Sequence, residues 1–245
     1  MAFSAIYDLT IDERDVRIYS NGTGDPVLSV PDLGSSAATW ECLTHKVCDA
    51  DRQLVAIDLP GSGHSDPVRG SELPAFVDHL RRVIEQLSTD PVDVVGCGFG
   101  AYLAASVAAK DPQLVRRLVL EQPTVPPRSG PPVSSRMSPG MALGGAVTTL
   151  RRGKIKQNRH GFSRARAVLA QLARADPRWW ESLAQITAPT LIIGGGSDDV
   201  GQRALLDLLA AAIPGSARAD LGGWRRGHAS APDSFAAVVM PFLTR

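Results

Sequence analysis

The stretch Val94-Val95-Gly96-Cys97-Gly98-Phe99-Gly100-Ala101 decides the fold. An apolar run ends in glycines at alternate positions and leads straight into the alanine-rich segment 101–109. That order reads as a buried strand, a sharp turn and a helix. In a turn of this kind the central residue is the one held up at the end of the sheet. Here it is Gly98, which has no side chain to present.

The same rhythm repeats outward from this point. Short apolar runs at 27–30, 54–57, 92–95, 114–120 and 190–193 read as buried strands, the first ending at Pro31 and the second at the loop from Asp58. Segments 35–50, 101–109, 203–213 and 234–243 are expected to be helical. So is a helix from Ser71 onward, with Phe76, Leu80, Val83 and Leu87 at helical spacing. A further strand is expected at 217–221. Strands alternating with helices predict an α/β fold, a mostly parallel sheet with helices on both faces. Ligands of such sheets collect at the carboxyl ends of the strands.

Residues 123–188 interrupt the alternation. Their first part is rich in Pro, Ser and Gly, and the segments 165–172 and 178–186 look helical. We expect residues 1–122 and 189–245 to form the core and 123–188 a small lid inserted between its two parts.

The chain has 245 residues, is 44% hydrophobic and carries a net charge of +1. This is a folded-domain composition with no global case for nucleic-acid or membrane binding. No apolar stretch approaches the roughly 20 residues that cross a bilayer, and no signal peptide is visible at the start. The three cysteines, Cys42, Cys48 and Cys97, match no zinc spacing and fit reduced thiols in the cytoplasm. No metal or cofactor is expected.

With the glycine turn, the loop Asp58-Leu59-Pro60-Gly61-Ser62-Gly63-His64-Ser65-Asp66, Asp198 after strand 190–193, and Gly227-His228 before the last helix, the chain resembles the α/β-hydrolase superfamily. The branch is that of small esterases, epoxide hydrolases and cofactor-free oxygenases. The resemblance implies a nucleophile elbow at 96–100, a triad acid at Asp198 and a triad histidine at His228. It also implies oxyanion-hole donors at the N–H groups of Leu33 and Phe99.

Two departures are specific. Gly98 stands where the family has its nucleophile. Val30-Pro31-Asp32-Leu33-Gly34 stands where the family commonly has apolar-His-Gly-x-Gly, so Pro31 takes the His position and Asp32 a Gly position. A carboxylate at Asp32 would oppose an oxyanion if it pointed inward. Cys97 is a poor substitute nucleophile, because neighbouring side chains on a strand point to opposite sides. His228 and Asp198 are read either as a base and its orienter or as relics of that pair.

The segment 112–175 holds a single acid, Glu121, among many bases. It reads as a solvated face or as a lid holding an anionic substrate. Pro31, Met137, Met141 and Trp179 are candidates to line the substrate pocket, with Trp179 also placed well for the core.

These features imply a non-hydrolytic enzyme of specialised metabolism. It would isomerise or epimerise a small molecule or modified peptide by proton transfer, or cyclise it or eliminate from it, with His228, Asp32 or a substrate carboxylate as base. The alternatives are a ligand-binding pseudoenzyme, and a serine esterase or peptidase whose nucleophile Gly98 has replaced.

Overall fold

The computed structural model describes residues 3–130, 159–195, 200–222 and 226–244. The described strands form one eight-stranded sheet in the order β1-β2-β4-β3-β5-β6-β7-β8. The strands are β1 (Ala5–Ile11), β2 (Arg14–Asn21), β3 (Pro26–Val30), β4 (Gln53–Ile57), β5 (Val92–Cys97), β6 (Val115–Glu121), β7 (Thr190–Gly194) and β8 (Ala217–Asp220). The pairs β1–β2 and β2–β4 are antiparallel and the remaining pairs parallel. Every residue of β5 and of β7 is buried, which is why both are mostly apolar, with Asp93 of β5 the one charged residue among them.

The helices are α1 (Thr44–Cys48), α2 (Leu73–Leu87), α3 (Phe99–Lys110), α4 (Arg159–Leu172), α5 (Pro177–Ser182), α6 (Val200–Ala212), α7 (Gly227–Ser230) and α8 (Pro232–Leu243). Apolar clusters on the two sides of the sheet bury the flanking helices. One centres on α2 and α3, the other on Trp40, Phe235 and Val239.

Two differences from the sequence-based expectation have physical causes. The hairpin β1–β2 was not expected. It is an edge element in which buried Val16 and Ile18 alternate with half-buried Arg17 and Tyr19, and its turn is Asp12-Glu13 at φ 50° and 61° with no Gly or Asn to mark it. The single helix expected over 35–50 is a 3-10 segment, Ala37–Leu43, followed by the short α1. Ser36 makes no side-chain cap there. The Ala37 N–H donates instead to the buried Asp58 carboxylate at 2.9 Å, and this bends the chain and turns Trp40 inward.

Helices α4 and α5 fall within the segment expected to be a lid. Val168, Leu172, Trp179 and Trp180 pack into the cluster around α3. Among the described residues, no helix is long and apolar enough to cross a membrane.

Candidate active site

The site is built at the carboxyl ends of β3, β5 and β6, around the turn from β5 into α3. Gly98 holds φ 57° and ψ −116°, a conformation that strains any residue with a Cβ. Its N–H donates to the Glu121 carbonyl at 3.0 Å, and its carbonyl accepts from Thr124 N at 3.0 Å, so the end of β6 and the loop after it fix the turn. Gly100 is required for a different reason. A Cβ there would lie 2.4 Å from the Val30 carbonyl oxygen, because α3 starts hard against the end of β3.

Asp32 leaves the end of β3 and points inward. Its Oδ1 accepts from Leu33 N at 2.8 Å and from Phe99 N at 2.9 Å. These are the two N–H groups that the sequence pattern marks as oxyanion donors, and both converge on one carboxylate oxygen. Oδ2 accepts from Arg226 Nη2 at 2.8 Å. The carboxylate also stands over the glycine turn. A Cβ on residue 98 would fall 2.2 Å from Oδ1 and 2.4 Å from Cγ. Asp32 and a side chain at 98 therefore compete for the same space.

His228 lies on α7 and is buried, with 2% of its surface exposed. Its Nδ1 is 2.5 Å from Glu121 Oε2, and its backbone N–H donates to Glu121 Oε1 at 3.1 Å. Trp40 lies flat against the imidazole, with ring centroids 3.9 Å apart and planes 19° apart. A buried carboxylate on Nδ1 and an indole on one face fix the orientation of the ring, which is what a proton-transferring histidine requires. Burial alone would raise the Glu121 carboxyl. The facing His228, its two hydrogen bonds and one from Cys97 outweigh burial and hold it below the usual range.

The structure thus brings together Gly98, Asp32, Leu33, Phe99 and His228, and adds Glu121 and Arg226. Glu121 was visible as an acid directly following the apolar run of β6, the right end of a parallel strand for function. Asp198, expected to orient His228, lies outside the described residues, as do Met137 and Met141. Among the described residues the carboxylate on His228 Nδ1 is Glu121. Pro31 is buried beside Asp32, and its carbonyl oxygen would lie 2.5 Å from a Cβ on Gly100. Trp179 is packed in the core. It stacks on Tyr102 at 5.2 Å, meets Trp180 edge-on and donates its ring N–H to Ser106 Oγ at 2.8 Å.

Cys97 Sγ, a Glu121 carboxylate oxygen and a His228 ring nitrogen lie within 4.8 Å of one another, a potential metal donor set. Metal binding needs a thiolate. Burial first, then the nearby Glu121 and Asp32 charges, push the Cys97 thiol well up, so the cluster as it stands is a hydrogen-bonded thiol–carboxylate–imidazole group.

Fold and site together define a hydrolase-type scaffold, with Gly98 at the turn from β5 into α3. A family model described as "alpha/beta hydrolase fold" matches residues 25–181, and the chain belongs to that family. It is 26% identical over 97% of its length to a 2-hydroxy-6-oxononadienedioate/2-hydroxy-6-oxononatrienedioate hydrolase of Klebsiella pneumoniae, covering 95% of that protein. It is also 26% identical, over 93% of its length, to the polyketide synthase ThaQ of Burkholderia thailandensis, where it spans only 12% of the relative. It spans 38% of a 2-hydroxymuconate semialdehyde hydrolase of Pseudomonas sp. at 29% identity. Two solved structures share the fold. A hydrolase from Pseudomonas aeruginosa has TM-score 0.80 and 21% identity, covering 99% of each chain. A thioesterase domain from the curacin biosynthetic pathway has TM-score 0.72 and 19% identity, covering 96% of this chain and 98% of that one.

Proposed function

We propose that the protein is a non-hydrolytic enzyme that moves a proton on a carbon next to a carbonyl, isomerising or epimerising a small-molecule or modified-peptide substrate. The observation that carries this reading is the Asp32 carboxylate seated on the Leu33 and Phe99 amides over Gly98, beside a buried His228–Glu121 pair. Acyl transfer needs a nucleophile and an open oxyanion hole. This site offers no side chain at the elbow, and its hole is filled by an internal anion. What it does offer is two groups that handle protons, Asp32 and His228, and one cation, Arg226.

Proton transfer uses only those parts. One base takes the carbon-bound proton and the electron pair moves onto the carbonyl oxygen; either the conjugate acid returns the proton to the same face, or the second group, protonated, delivers one to the opposite face. The reaction balances without water or a co-reactant. The kinship with a polyketide synthase and a natural-product thioesterase supports a place in specialised metabolism, and three free cysteines fit the cytoplasm. Residues 123–188 are read as the lid.

The test is exchange in heavy water. Candidate acyl and peptide metabolites are incubated with the protein and followed by mass. The expected result is deuterium incorporation with no cleavage. A burst of p-nitrophenol from simple esters with an acyl adduct on the protein would overturn the reading. Because the oxyanion hole is already filled, a receptor is the second reading, and tight binding without exchange would select it.

A further inference from the structure

We propose that the ligand of this site carries a carboxylate, which exchanges with Asp32 on the Arg226 guanidinium and so frees Asp32 Oδ2. The use of the freed oxygen as a base rests on the proton-transfer reading above. The exchange itself is an equilibrium property and stands apart from it.

Arg226 is set in place with unusual firmness. Its backbone is left-handed, φ 53° and ψ 64°, a region that non-glycine residues rarely occupy. Its N–H donates to Gln122 Oε1 at 3.2 Å, and its carbonyl accepts from Ala229 N at 2.9 Å and Ser230 N at 3.0 Å. The root of the side chain is thereby fixed two residues before His228, and the guanidinium reaches the glycine turn.

The pair it makes with Asp32 is incomplete. Nη2 alone contacts Oδ2, at 2.8 Å, although a guanidinium can grip a carboxylate through two parallel N–H groups. Both side chains reach solvent, at 30% and 22% exposure, so an incoming anion has access. Among the described residues Asp32 is the one carboxylate within ion-pair distance of Arg226. Exchange would not set Asp32 adrift, since Oδ1 keeps its bonds to Leu33 N and Phe99 N. A ligand carboxylate would gain a two-point grip where Asp32 has one. Its neighbouring carbon would then lie beside an unmasked oxygen. Binding and unmasking become one event, and a neutral analogue would achieve neither.

The test uses phenylacetate and its neutral isostere phenylacetamide, with binding read by calorimetry or ligand-observed NMR on the full chain. Wild type is expected to prefer phenylacetate. Asp32→Asn removes the competing charge and should bind phenylacetate about tenfold more tightly, with phenylacetamide changed less than about twofold. Arg226→Gln should abolish the preference, and Arg226→Lys should keep part of it. Thermal melts confirm that each variant is folded. An Asp32→Asn protein no tighter for phenylacetate than wild type would overturn the proposal, and so would a preference that survives Arg226→Gln. Carboxylate preference without deuterium exchange in any substrate would sink the proton-transfer reading alone. Exchange without carboxylate preference would sink this proposal alone.

Discussion

Gly98→Ser is the perturbation whose outcome follows most directly from the coordinates. The new Cβ would sit 2.2 Å from Asp32 Oδ1, 2.4 Å from Cγ and 3.0 Å from Oδ2, well inside contact distance, so the carboxylate must leave. Leaving breaks its bonds to Leu33 N and Phe99 N. Charge-assisted bonds of this kind contribute about 1–2 kcal/mol each at a partly exposed site, so their loss costs about 2–4 kcal/mol. Serine at φ 57° and ψ −116° adds about 1–3 kcal/mol of backbone strain. The single variant should lose about 3–7 kcal/mol, a large part of a typical domain's stability. Asp32→Ala removes the same bonds and should lose about 2–4 kcal/mol. In the double variant the bonds are lost only once, so the two penalties should fall short of additivity by about 2–4 kcal/mol. Urea unfolding of the four proteins measures this. Strict additivity, or a Gly98→Ser protein as stable as wild type, would refute the reasoning. Activity gives an independent readout. Gly98→Ser alone should stay silent toward p-nitrophenyl acetate. Gly98→Ser/Asp32→Ala places a serine beside emptied amides and an intact His228–Glu121 pair, and should release a burst of p-nitrophenol.

Other outcomes follow from single residues. Glu121→Gln removes the charge that faces the imidazole and should cut substrate deuterium exchange by about 100-fold or more, with His228 still present, as read in an exchange assay. The Glu121 carboxyl is held low in the folded state, so its stabilising contribution is present above the unfolded value of 4.5 and is lost as pH falls through the folded value. His79 on α2 is buried with no partner on Nε2, and burial, set against the Asp12 and Asp78 charges and helped by Arg14 and Arg82, lowers it from 6.5 to about 4. A folded value below the unfolded one means stability is full above pH 6.5 and is lost on acidification. That gap corresponds to about 3 kcal/mol between pH 7 and pH 4, which His79→Leu should remove from the urea midpoints. At the other end of the sheet, buried Asp93 holds Arg52 at 2.6 Å and Arg116 at 2.9 Å. Asp93→Ala should cost about 3–5 kcal/mol in unfolding experiments, chiefly by leaving buried Arg52 without its carboxylate, since Arg116 keeps Asp25 at 2.6 Å.

The parallel strands were legible in the sequence because burial on both faces leaves a mostly apolar run without polar alternation, as in β7 and, around Asp93, in β5. The β1–β2 hairpin was not, because an edge strand exposed on both faces over residues 5–8 and a turn made of Asp12-Glu13 carry a weak local signal. The site divides in the same way. Gly98, Asp32 and His228 stand out because they sit at or beside positions a known motif numbers. Glu121 and Arg226 act through contacts 107 and 194 residues away along the chain, and no spacing rule reports such contacts. Glu121 had a partial signal, an acid at the carboxyl end of an apolar strand, but the resemblance directed attention to Asp198. Arg226 had none. Its importance comes from a left-handed backbone and a neighbour on the opposite side of the turn, both products of tertiary structure.

The overlap at residue 98 changes how the missing side chain is understood. A glycine alone at the elbow would describe an enzyme with one part removed, and restoring the part should restore the chemistry. Here the space that a Cβ would need is filled by Asp32, and the amides that would steady an oxyanion are already spent on Oδ1. Gly98 and Asp32 are therefore one feature. The carboxylate can reach the amides only if residue 98 has no side chain, and the glycine turn is anchored at its N–H by Glu121 of β6 and at its carbonyl by Thr124 just beyond it. His228 remains buried, oriented by Glu121 and covered by Trp40, so the proton-handling half of the site is kept in full order. An ordered histidine beside a filled oxyanion hole fits chemistry in which a proton moves and no acyl group does, and that distinction is what the four-protein cycle at residues 32 and 98 measures.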